Sequence, residues 1–173
     1  MLEALIFVVF PFCMVFAAVS DTLSMTIANR VPLVLLAVFA IAAPLTGMDW
    51  AEYGWHFIAG ATVLVGTFGL FALGGMGGGD AKLLSATAVW MGFNLHLIEY
   101  LVVSTFLGGL LTIAIIVYRG SPLAVYTGQN MFLRNFANAK GGIPYGIALG
   151  IGGLITYPSS SLMTWALERL SAQ

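Results

Sequence analysis

Apolar stretches of membrane-crossing length fill this chain, and the connections between them are too short to hold a separate soluble layer. A helix needs roughly 17–25 apolar residues to cross hydrocarbon. Such windows run over 2–19, 31–47, 54–73, 95–117 and 143–167, with a shorter one over 81–93. The chain is 60% hydrophobic and only 8% charged, whereas a soluble domain carries about 25% charged residues. Backbone groups in lipid must be satisfied within the segment, which favours helices. The expectation is an all-α, polytopic membrane protein: a bundle of six transmembrane helices in a single membrane-embedded domain over 1–173. The window at 81–93 is too short to cross without help from its neighbours. No Lys or Arg precedes Arg30, so 2–19 reads as a retained first span and not as a cleaved signal peptide.

Charge placement sets the expected orientation. With six spans, Arg30, Lys82, Arg119, Arg134 and Lys140 share one side, while Arg169 falls on the other with Glu3, Asp49, Glu52, Glu99 and Glu168. The positive-inside rule then makes both termini non-cytoplasmic. The net charge of −1, with no basic run, gives no reason to expect a nucleic-acid partner. Cys13 is the single cysteine, which excludes a disulfide or a cysteine zinc site within the chain and leaves a small packing residue.

Two carboxylates stand out against this background. Asp21 ends the first apolar stretch, and Asp80 closes the run Gly74-Gly75-Met76-Gly77-Gly78-Gly79. Both fall at the cytoplasmic edge in the expected topology. An ionisable residue at the border of hydrocarbon is costly and marks a functional site by default. Two carboxylates held close share a proton: the charged member can deprotonate water, and the protonated one can polarise a peptide carbonyl. Capping is the plainer account, with Asp21 starting a helix at Thr22 and Asp80 at the N-terminus of the fourth span. The coincidence of the two, with a glycine loop before one, favours catalysis. Gly77, Gly78 and Gly79 allow close approach to an extended peptide. Lys82 reads as a snorkelling residue or a modulator of the Asp80 charge. No HExxH occurs, and His56 and His96 fall on the opposite side as interfacial residues, which disfavours zinc and serine chemistry. No metal or organic cofactor is implied. The alternative is a small ion or proton-coupled transporter with functional carboxylates, which calls for midplane carboxylates and an internal repeat. Asp21 and Asp80 lie at an edge, and the two halves show no convincing repeat.

The string GGMGGGDAKLL resembles the GxGD signature of membrane aspartic proteases, with Gly77, Gly79 and Asp80 filling it. The Ala-Lys-Leu that follows is similar to the sequel in type IV prepilin peptidases. In that family the first aspartate is followed by an Ile-Pro-Asn element. Ile27-Ala28-Asn29 matches its spacing after Asp21, with Ala28 in place of proline. Gly142-Ile143-Pro144-Tyr145-Gly146 resembles the family's Pro-aromatic-Gly start of the last span. The resemblance implies an aspartic endopeptidase with Asp21 and Asp80 catalytic, supported by Gly77, Gly78, Gly79, Lys82 and Asn29. It also implies a prokaryotic inner-membrane location with the active site at the cytoplasmic edge, and a prepilin substrate with a basic leader and a hydrophobic helix. Longer members carry a methyltransferase activity on a cytoplasmic domain with paired cysteines. This chain has about ten residues at that place and no CxxC, which resembles the peptidase-only forms serving Flp-type tight-adherence pili. A presenilin-like protease is disfavoured by the short chain and by the position of Asp21 after span one.

Two further segments carry expectations. Residues 129–138 could form a short amphipathic helix with Phe132, Leu133 and Phe136 on lipid, or gate the substrate. Gly146-x-x-x-Gly150 is a close-packing motif, serving either an intramolecular contact or the seam of a homo-oligomer.

Overall fold

Helices account for about 80% of the chain in the computed structural model, which describes residues 1–138 and 141–172. In order they are α1 (Leu2–Ser24), α2 (Arg30–Leu45), α3 (Trp50–Ala72), α4 (Gly78–Met91), α5 (Leu95–Arg119), α6 (Pro122–Thr127), α7 (Arg134–Ala137), α8 (Gly146–Thr156) and α9 (Ser161–Ser171). Among the described residues there is no strand. Three helices, α1, α3 and α5, are long and apolar enough to cross a membrane, and α2 and the segment Gly146–Ser159 are shorter apolar helices. Val65, Phe68, Phe106 and Ile113 point outward from α3 and α5, as expected where lipid is the solvent.

The centre of the bundle is α4. Every residue from Ala81 to Met91 except Lys82 is buried, although α4 is only about 21 Å long at 1.5 Å per residue. Its small residues admit close neighbours on several sides: α3 lies against it through Gly60, where an added Cβ would fall 3.1 Å from the Ser85 carbonyl oxygen. Where apolar burial gives no drive between helices, such close packing and internal hydrogen bonds hold them. Trp90 Nε1 donates to the Leu35 carbonyl at 3.0 Å, tying α4 to α2.

The glycines of α8 serve contacts within the chain. An added Cβ at Gly150 would lie 2.8 Å from the Met14 carbonyl oxygen of α1, and one at Gly146 would lie 2.8 Å from the Asp21 Cβ. Of the two uses left open for Gly146-x-x-x-Gly150, the structure shows the intramolecular one.

Three expectations need correction. The last apolar stretch is not one helix: a 3-10 turn at Tyr157–Ser159 separates α8 from α9. Pro158 lacks the N–H that a continuing helix needs, and the Ser160 hydroxyl restarts the chain by accepting from Met163 N. Second, α1 runs beyond Asp21 to Ser24 and is turned by Met25, whose φ is 54°. Third, helix within 129–138 is confined to the single turn of α7. Asn130 diverts the start of that segment, its side chain accepting from Phe132 N at 2.9 Å, a local bond that competes with helix. Phe132 is exposed there, whereas Leu133 and Phe136 are half-buried. Lys140, assigned to the cytoplasmic side by charge, lies outside the described residues.

Candidate active site

Asp21 sits on the last full turn of α1 and is buried, at 5% exposure. It does not cap a helix starting at Thr22. Its Oδ2 accepts instead from the backbone N–H of Gly146 at 2.7 Å. Gly146 is the first residue of α8 and its preceding residue, Tyr145, offers no side-chain cap. Asp21 therefore satisfies an orphan donor of another helix, 125 residues away. The contact exists only because residue 146 has no side chain, since an added Cβ would stand 2.9 Å from that same oxygen.

Asp80 occupies the third position of α4, after the N-cap Gly77 and the helical Gly78 and Gly79. Its carboxylate turns back toward the Gly77 backbone, where an added Cβ would lie 2.7 Å from Asp80 Oδ2. It is half-buried. Both carboxylates line one cavity of about 1270 Å³. Each is thus set at the N-terminus of a helix, Asp80 on α4 and Asp21 against α8. The sequence account of Asp80 at the start of its helix agrees with this placement, while the Thr22 cap for Asp21 does not, since Asp21 meets the first residue of α8 instead.

The supporting residues separate. Gly77 lines the cavity. Gly78 faces the Phe71 ring, and Gly79 lies beneath Ile27, where an added Cβ would be 3.3 Å from the Ile27 backbone N. That close approach joins the segment after Asp21 to the segment before Asp80. Lys82 and Asn29 are brought together, Nζ donating to Oδ1 at 2.9 Å. They line an adjoining apolar groove of about 440 Å³ and not the carboxylate cavity.

His56 is buried in the bundle and does not project from it. It is 2% exposed, its Nδ1 is 2.6 Å from the Val89 carbonyl oxygen, and its ring packs against Phe39 and Gly92 at the opposite end of α4. Among the described residues no group of His, Cys, Asp and Glu could hold a metal ion.

Arg119, which enters the sequence argument only as a marker of topology, is a site residue. It lines the carboxylate cavity. Its guanidinium donates to the Phe136 carbonyl at 2.9 Å and to the Gly142 carbonyl at 2.7 Å. Asn135 completes the strap by donating to the Thr22 and Leu23 carbonyls at 2.7 and 3.0 Å. The connection between α5 and α8 is thereby fastened at the end of α1, next to Asp21. No spacing in the sequence announces these pairs.

An all-helical membrane protein with two carboxylates facing one cavity is the class these features define. A model of the type IV leader peptidase family matches residues 8–117, a stretch that includes both aspartates. The chain belongs to that family, whose peptidase activity processes prepilins. No curated protein and no solved structure matches the chain.

Proposed function

We propose that the chain is an aspartic endopeptidase of GxGD type that removes the short basic leader from Flp-like prepilins, with Asp21 and Asp80 as its catalytic pair. The observation that carries this reading is the shared cavity: carboxylates 59 positions apart in sequence line one space. The charged member takes a proton from water as it attacks the scissile carbonyl, and the protonated member hydrogen-bonds the developing oxyanion. Neither step calls for a metal or cofactor. Asp21 is held in place by Gly146 N–H, and Asp80 by its position above Gly77. Gly77, Gly78 and Gly79 serve as the supporting loop, and Asn29 and Lys82 as a clasp beside it.

The rest of the reading follows from charge and length. The whole of 1–173 acts as one peptidase domain with six spans, both termini outside the cytoplasm and the carboxylates at the cytoplasmic edge of a prokaryotic inner membrane. Support comes from the way the C-terminal ends of α1 and α5 and the N-terminal ends of α4 and α8 meet around the cavity. The connection between α1 and α2 leaves no room for a methyltransferase domain.

The test is cleavage of a co-expressed Flp-like prepilin by wild type, Asp21→Asn and Asp80→Asn, with the membrane level of each measured. Each variant should lose about 10²–10⁴-fold in cleavage, the usual weight of a positioned acid or base. Normal trimming by both well-inserted variants would remove the dyad mechanism.

A further inference from the structure

The carboxylate cavity is longer than a cleavage site needs to be. Its long sides are α3 and α5, with Leu84 of α4 and Leu149 of α8 behind them, and along α5 it runs from Arg119 to Leu101, about 27 Å at 1.5 Å per residue. The packing explains why it is there. The main partner of α3 is α4 and that of α5 is α8, so the flank between α3 and α5 is left as a slot. At one end the slot meets Asp21 and Asp80, beneath the strap that Arg119 fastens.

The lining is unusual for a surface beside lipid. Thr62 and Thr67 of α3 and Ser104, Thr105 and Thr112 of α5 all border the slot. Three of these hydroxyls donate back to their own helices, Thr62 to Ile58, Thr67 to Val63 and Thr112 to Gly108, which leaves their oxygens as acceptors. Ser104 is buried with its hydroxyl turned against Gly152 of α8, so the hydroxyls open to the slot are those of the threonines. A regular helix, with its backbone groups paired internally, gains little from such a wall. A strand of peptide unwound for cleavage has bare N–H and C=O groups that need partners in lipid.

We propose that the slot between α3 and α5 is the route by which the substrate's hydrophobic segment reaches the carboxylates from within the bilayer. The residues just after the cut bond lie extended against the hydroxyls, and the rest stays helical. This rests on the peptidase reading above. It makes residue 66 a specificity-determining position: Gly66 borders the slot, and an added Cβ there meets nothing within 4 Å. A large side chain is accommodated by the fold and occupies the path. Gly69, on the same helix, is equally open but does not line the slot.

The experiment compares Gly66→Trp and Gly69→Trp, at matched membrane levels, on two substrates. One is a membrane-inserted Flp-like prepilin. The other is a water-soluble peptide that spans the leader and cut site but lacks the hydrophobic segment. Gly66→Trp should slow prepilin cleavage by at least about tenfold, as obstructed positioning does, and leave peptide cleavage near wild type. Gly69→Trp should match wild type on both. Equal prepilin cleavage by the two variants would overturn the slot, as would loss of both substrates by Gly66→Trp. If wild type cleaves neither substrate, the peptidase reading itself falls. A second measurement is independent of turnover: in an Asp80→Asn background, a photo-crosslinking residue at Thr105 should capture the prepilin through its hydrophobic segment. The same residue at the outward Phe106 should not, and equal capture at both positions would overturn the route.

Discussion

At one end of the bundle Phe10, Phe39, Trp90 and Tyr157 interlock, with Phe10 and Tyr157 stacked 4.1 Å apart and Phe39 edge-on to Trp90 at 5.8 Å. The polar atoms of that end are bound to helix backbone: Tyr157 OH donates to Ile6 at 2.6 Å, and Trp90 to Leu35 at 3.0 Å. The other end is made of Gly77, Gly79 and Gly146, two carboxylates, and a strap held by hydrogen bonds from Arg119 and Asn135 to backbone carbonyls. The aromatic cluster is closely packed, while the carboxylate end opens onto a cavity. The contrast teaches that rigidity is placed away from the chemistry. A closely packed end can fix the register of α1, α2, α4 and α8, so that the other end can stay open and still hold two carboxylates in a set relation.

Substitutions at the two ends should therefore separate stability from cleavage. Trp90→Ala removes the largest fully buried side chain and should cost about 3–5 kcal/mol. Its readout is a lowered thermal unfolding temperature in detergent, with the folded fraction still cleaving prepilin at the normal rate. Loss of cleavage without loss of stability would erase the distinction.

Gly146→Ala is the converse. The methyl group would meet the Asp21 side chain, and displacement of a reacting group by about 1 Å costs on the order of 10²-fold. Cleavage should fall by that order while the unfolding temperature moves little. The pH profile sharpens the same point: a shared-proton pair gives a bell, falling at low pH as the base is protonated and at high pH as the acid is lost. Trp90→Ala should keep the shape of the bell and Gly146→Ala should displace it. A flat profile for wild type would count against the pair.

The smallest expected effect is at Lys82. It is exposed, bonds Asn29 and borders the neighbouring groove, so Lys82→Gln should change cleavage by less than about threefold, as exposed substitutions generally do. A hundredfold loss would move Lys82 into the chemistry and redraw the boundary of the site.

Helical class, membrane character and the two aspartates are legible in local composition, because hydrocarbon excludes charge and unpaired backbone over any stretch of about 20 residues. The break at Pro158 is present in the sequence too, but a mean over a long apolar stretch hides one proline. The role of Arg119 is not legible there, because its partners Phe136 and Gly142 are backbone carbonyls and carry no side-chain signature. His56 looks interfacial by its position in the chain and is buried because Val89 offers it a carbonyl from α4.

By itself the sequence determined what must avoid water and which two acids stand at the margin of that rule, since both are properties of residues and their near neighbours. Which backbone group holds Asp21, which cavity joins it to Asp80, and which pair of helices leaves a slot beside them were decided by the tertiary structure alone. Those are relations between segments as distant as Asp21 and Gly146, and only packing fixes the distance between residues that the chain itself does not connect.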